Sequence, residues 1–168
     1  MSQPTPIDIT MMQRALDQAR AAAVMGEVPI GAVIYRGDEV LAEAHNLRES
    51  QRDPTAHAEV LALRIAAPKL TSWRLEDCSI AVTLEPCPMC AGALVNARIA
   101  RLVYGAPDPK MGCVHTLYEL CTDARFNHRL EVIAGVEQDE CVRLLQAFFA
   151  ARRGKDRPAK PGLAEGER

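Results

Sequence analysis

Cys78-Ser79-Ile80-Ala81-Val82-Thr83-Leu84-Glu85-Pro86-Cys87-Pro88-Met89-Cys90-Ala91-Gly92-Ala93-Leu94 is the stretch on which the fold turns. Its first seven residues form a short apolar run that ends just before a proline-containing break, which predicts a buried strand over 78–84. Pro88 suits the first position of a helix, because the amide it lacks would have had no partner there, and the apolar residues that follow carry this helix to about Ala97. Arg101-Leu102-Val103-Tyr104-Gly105 then reads as a second strand. Strand, helix and strand in so short a span imply a parallel pair joined by a helical crossover.

Working outward, Val28-Pro29-Ile30-Gly31-Ala32-Val33-Ile34-Tyr35 is apolar and β-branched, Arg36-Gly37-Asp38 breaks it, and Val40-Leu41-Ala42-Glu43-Ala44 follows. This predicts a hairpin. Ile9, Met12, Leu16, Ala19 and Ala23, at alternating steps of three and four, predict an amphipathic helix over 8–25. Asp53-Pro54-Thr55 predicts a helix start and Pro68 its end. Further on, Thr116 to Cys121 reads as a short helical turn and Arg129 to Ala134 as a strand. From Glu137 a last helix places Cys141, Leu144, Leu145, Phe148 and Phe149 on one apolar stripe, assigned to the core, and Arg152 and Arg153 at its end. The expected architecture is a three-layer α/β/α domain over 1–154, a central mixed five-stranded sheet with helices on both faces. Residues 155–168, rich in proline and charge, are expected to be a disordered basic tail.

A hydrophobic fraction of 48% over 168 residues excludes a disordered chain. No run approaches the roughly 20 apolar residues of a membrane span, and Met1-Ser2-Gln3-Pro4 lacks the pattern of a signal peptide. The sequence therefore predicts a soluble cytoplasmic protein with no membrane partner. A net charge of −2 argues against a uniformly basic nucleic-acid binder. The charge is uneven, however: residues 141–168 hold seven basic against three acidic side chains, a net +4 that can meet phosphates. Of the six cysteines, Cys78, Cys113, Cys121 and Cys141 are scattered among apolar neighbours and read as small buried hydrophobes.

Cys87 and Cys90 differ, because they lie three apart on one face of a helix start. His57-Ala58-Glu59 is their counterpart. Residues 57 and 59 point about 200° apart around a helix, so they can share a site only at its first turn, where the helix end faces it. Two helix N-termini then converge, and their partial positive charges favour the thiolates that zinc requires. His57, Cys87 and Cys90 supply three ligands, the number that catalytic zinc takes while a water holds the fourth position. Glu59 is the proton carrier.

His-x-Glu with Pro-Cys-x-x-Cys resembles the zinc-dependent nucleobase deaminases. The likeness is closer still. Gly26-Glu27-Val28-Pro29-Ile30-Gly31-Ala32-Val33, Asp53-Pro54-Thr55-Ala56-His57-Ala58-Glu59, the 83–93 segment and Phe126-Asn127-His128-Arg129 resemble the bacterial tRNA-specific adenosine deaminases. The resemblance implies a cytidine-deaminase-like fold, a homodimer with one Zn²⁺ per subunit, and conversion of the wobble adenosine of a tRNA anticodon stem-loop to inosine. It implies that activated water adds at adenine C6 while Glu59 moves its proton to N1 and then to the departing ammonia. Asn46 is expected to contact the flipped nucleoside, and Val28, Ile30 and Leu84 to wall its base. Backbone groups near Ala58, Glu85 and Pro86 hold the reacting atoms, and Asp108 meets the nucleotide backbone or ribose. His128, Arg129, Arg152 and Arg153 are candidates for RNA contact. Pro107, Leu47, Arg48, Ala150 and Ala151 depart from the residues common in the family. Two other readings stay open: a deaminase of free bases or nucleosides, and a zinc-stabilised RNA-binding module without catalysis.

Overall fold

The computed structural model describes residues 3–155. Among the described residues, five helices and five strands follow in the order α1 (Pro6–Val24), β1 (Gly31–Arg36), β2 (Glu39–His45), α2 (Arg48–Gln51), α3 (Ala58–Lys69), β3 (Ser79–Leu84), α4 (Pro88–Asn96), β4 (Arg101–Ala106), β5 (Glu131–Ala134) and α5 (Gln138–Lys155). The sheet order is β2-β1-β3-β4-β5. β1 runs antiparallel to β2 and to β3, whereas β3, β4 and β5 are mutually parallel. The expected mixed five-stranded sheet is therefore present, with the 78–105 stretch as its parallel crossover.

Alternation along the strands decides the layers. Ala32, Ile34, Ile80, Val82 and Leu102 face one way and pack with Ala58, Ala62, Ala66, Ala91 and Leu94 of α3 and α4. Val33, Tyr35, Ala81, Val103 and Ile133 face the other way and pack with Met11, Met12, Ala15 and Leu16 of α1 and Cys141 of α5. Approach on this second face is close: a Cβ on Gly31 would stand 2.0 Å from the Ala15 carbonyl oxygen, so only glycine lets α1 rest there. The four scattered cysteines are all buried, as expected.

Several boundaries differ from expectation, each for a local reason. α1 begins at Pro6 because Thr5 caps it, its hydroxyl accepting from the Asp8 amide while Asp8 accepts from the Thr5 amide. Asp53-Pro54-Thr55 does not open α3. The Asp53 carboxylate accepts from the Thr55 amide and hydroxyl, a closed turn that delays the helix to Ala58. Pro68 falls inside the last turn of α3 rather than after it. No helical turn forms at 116–121, because the Thr116 amide and hydroxyl bond to Glu85 and the Leu117 amide to Gly112. Phe149 is not core: α5 outruns the sheet, which leaves this ring 42% exposed. No described helix is long and apolar enough to cross a membrane. The tail expected over 155–168, apart from Lys155 at the end of α5, lies outside the described residues.

Candidate active site

His57 and Cys87 are the N-cap residues of α3 and α4, and neither side chain caps its helix. Both turn instead to a common point. His57 Nδ1 lies 3.7 Å from Cys87 Sγ and 3.5 Å from Cys90 Sγ, and the three donor atoms lie within 4.8 Å of one another. Zinc bonds of about 2.3 Å to sulfur and about 2.0 Å to nitrogen, at a tetrahedral angle, separate S from N by about 3.5 Å. The donor set and its spacing therefore fit zinc with one position left over. Cys90, on the first turn of α4, donates to Cys87, and with His57 this holds the Cys87 thiol down to about 4. A thiolate at a helix N-terminus is the form that binds metal.

Glu59 follows on the first turn of α3 and is 4% exposed. Burial pushes its carboxyl up from the usual carboxylate range, the direction that suits a group required to accept and return a proton. His57, Glu59 and Cys87 line a cavity of about 590 Å³. Val28, Ile30 and Leu84 give it apolar walls and Asn46 a polar one; Pro107 to Met111 form one rim, and Arg48, Leu145, Phe149 and Arg152 complete the lining.

Of the residues singled out from sequence, the structure brings His57, Cys87, Glu59, Asn46, Val28, Ile30, Leu84, Glu85, Asp108 and Arg152 to this cavity. Cys90 and Ala58 are buried beside it. The Pro86 carbonyl accepts from the Cys113 amide at 2.9 Å. His128 is anchored elsewhere, its Nε2 2.7 Å from the Ile99 carbonyl, and neither it nor Arg129 nor Arg153 lines the cavity.

Sequence reasoning passed over Glu27. Its fully buried carboxylate accepts from the Ser50 amide at 2.6 Å, the Glu49 amide at 3.2 Å and Asn46 Nδ2 at 3.2 Å. Burial pushes this carboxyl up, but the bonds from Ser50 and Glu49 outweigh it and the net shift is downward. Glu27 thus fixes both α2 and the orientation of the Asn46 amide. A charged residue directly before an apolar strand was the available signal. Lys110, Met111, Leu145 and Phe149 carried none, because loop and helix-end residues reach the cavity only through tertiary structure.

Three donors that could hold a metal and leave room for a water, next to a carboxylate that solvent barely reaches, suit hydrolysis of an exocyclic amine, and the class of protein they point to is the nucleobase deaminases. Residues 8–153 match the MafB19-like deaminase family. A tRNA-specific adenosine deaminase of Bacillus subtilis is 48% identical over 158 residues, 94% of this chain and 98% of its own length. One from Haemophilus influenzae is 45% identical, covering 87% of this chain and 85% of its own. A structure from studies of A-to-I editing by tRNA:A34 deaminases superimposes with a TM-score of 0.78 at 40% identity, covering 81% of this chain and 99% of that one. A guanine deaminase from Nitrosomonas europaea superimposes at 0.71 with 25% identity, over 89% of this chain and 87% of its own. The chain belongs to the tRNA-specific adenosine deaminase family and is an enzyme.

Proposed function

We propose that this protein hydrolyses the wobble adenosine of a tRNA anticodon loop to inosine and ammonia. The observation that carries the reading is the convergence of His57, Cys87 and Cys90 next to buried Glu59, at a cavity with apolar walls. His57, Cys87 and Cys90 would hold one zinc per subunit, which when bound lowers the pKa of a water to about 7. Glu59 takes the water's proton and delivers it to adenine N1 as oxygen adds to C6. It then carries the second proton to the departing amine. Val28, Ile30 and Leu84 sandwich the base, Asn46 and Asp108 meet the rest of the nucleotide, and the backbone near Ala58, Glu85 and Pro86 holds the reacting atoms.

A base in a paired stem cannot enter such a cavity, so the substrate nucleotide must be unpaired and turned outward, as in a loop. Arg48, Lys110 and Arg152 on the rim suit the flanking phosphates, with Arg153 next along α5. Leu117, Tyr118 and Phe126 are exposed apolar side chains that a second copy would cover in a homodimer; sedimentation equilibrium of the zinc-loaded protein should give twice the chain mass. The reading sets the protein in the cytoplasm with its substrate.

The deciding experiment incubates zinc-loaded protein with an anticodon stem-loop carrying adenosine at the wobble position, alongside free adenosine and free guanine. Conversion of the stem-loop adenosine alone is expected. Turnover of free guanine without the stem-loop would replace this reading with that of a free-base deaminase. RNA bound but chemically unaltered would leave only a binding module.

A further inference from the structure

Glu85 opens the link from β3 to α4 and is 2% exposed. Oε1 accepts from the backbone amides of Val114, His115 and Thr116 at 3.1, 2.8 and 3.0 Å. Oε2 accepts from the Asp108 amide at 3.1 Å and from the Thr116 hydroxyl. Five donors from a single connection thus converge on one side chain. The connection is also moulded to it in shape: a Cβ on Gly112 would stand 2.4 Å from Glu85 Cδ and Oε2. The first residues of this connection, Pro107 to Met111, are the rim of the cavity.

We infer that the Glu85 carboxylate is a positioning residue, holding residues 107–116 as the outer wall against which the substrate nucleotide is bound. Resemblance gives only the Glu85 backbone a part in the reaction; the side chain acts on the loop. A cavity wall made of irregular backbone has no ladder to stiffen it, and one buried carboxylate substitutes for the ladder by accepting from four of its amides and a hydroxyl. The inference relies on the proposed function for the identity of the substrate, but not for the anchoring itself.

Glu85→Gln separates the two oxygens. An amide oxygen in the Oε1 position keeps the bonds to Val114, His115 and Thr116, and the Thr116 hydroxyl can turn to accept. The NH₂ group then opposes the Asp108 amide, so the variant frees the cavity end of the loop specifically. In the zinc-loaded protein, amide hydrogen exchange at residues 108–112 should rise about tenfold with β3 and β4 unchanged. KM for the stem-loop should rise about tenfold while kcat stays within about twofold. Gly112→Ala, which pushes the loop off an intact carboxylate, should reproduce both effects. Wild-type exchange in both variants, or a loss of kcat at unchanged KM, overturns the inference. If Glu85→Gln does not fold, Gly112→Ala decides alone, and wild-type behaviour there also overturns it. Exchange needs no substrate, so a wild-type enzyme inactive on the stem-loop would refute the proposed function and leave the anchor to be judged separately.

Discussion

Replacing Glu59 with glutamine tests the chemistry most directly, because the change keeps the shape of the side chain and removes only its capacity to carry a proton. In the proposed reaction two transfers depend on it, one from water to the ring and one to the departing amine, and each positioned proton transfer is worth about 10²–10⁴ in rate. Solvent barely reaches position 59, 4% exposed, so bulk water cannot take over either transfer. Taking the lower figure for both gives a fall in kcat of about 10⁴, or about 5.4 kcal/mol of lost transition-state stabilisation. The metal ligands are untouched, so zinc content measured by atomic emission should remain one per chain. Burial already disfavours the charged form of Glu59, so a neutral amide should leave the melting temperature level or higher. A kcat within tenfold of wild type would refute the role of Glu59, and loss of zinc would show that position 59 supports the metal instead.

Further outcomes follow from the same geometry. Cys87→Ser should abolish stoichiometric zinc binding, and chelation of the wild type should lower its melting temperature, since metal at about a thousandfold above Kd stabilises by about 4 kcal/mol; a chelator-insensitive transition would contradict the site. Kd of the silent Glu59→Gln protein for the stem-loop should weaken with salt at a log–log slope of about −2, as three rim cations on a single strand require, and a flat response would remove Arg48, Lys110 and Arg152 from the interface. Asp8 is raised by burial but lowered on balance by bonds from Arg101, Tyr35 and Thr5, so its stabilisation is present above pH about 4 and lost as pH falls through its depressed value. Asp8→Asn should cost about 3 kcal/mol at neutral pH, because Arg101 loses a buried partner, and should flatten the acid limb of the stability curve; an unchanged limb would show that another group sets it.

Much of this was legible in the sequence because the central strands are apolar on both faces. Ala32, Ile34, Ile80 and Val82 face one layer while Val33, Tyr35 and Ala81 face the other, and a run buried on both sides is the sequence form of an interior strand. His57 and Cys87 were legible as helix-end residues from Pro88 and from the angular argument at 57 and 59. The true start of α3 was less so, since Asp53-Pro54-Thr55 is as good a turn as a helix opening and the turn's own bonds decide between them. The loop from Pro107 to Thr116 was opaque for another reason. Its shape is set by Glu85, more than twenty residues earlier, and no local propensity encodes a bond to a distant carboxylate.

Buried polar groups divide between the two ends of the central strands, and that division separates the groups that tie the fold together from those that shape the cavity. At the end where β3 and β4 start, Tyr35 pairs with Ser79 and Ser79 with Arg101, and Asp8 accepts from Tyr35 at 2.6 Å and Arg101 at 2.7 Å. At the opposite end, where those strands finish, α4 opens at Pro88 and α3 presents its own N-terminus. Parallel strands followed by helices gather helix N-termini at their carboxyl end, and partial positive charge there favours thiolates and suits an anionic substrate. Glu27 and Glu85 stand at that end and hold the two connections that flank the cavity. Substitutions at Asp8 or Arg101 should therefore shift melting temperature without moving KM, and those at Glu27 or Glu85 should move KM first. Placing the network of charges that stabilises the fold at the far end leaves the functional end free to be shaped by loops.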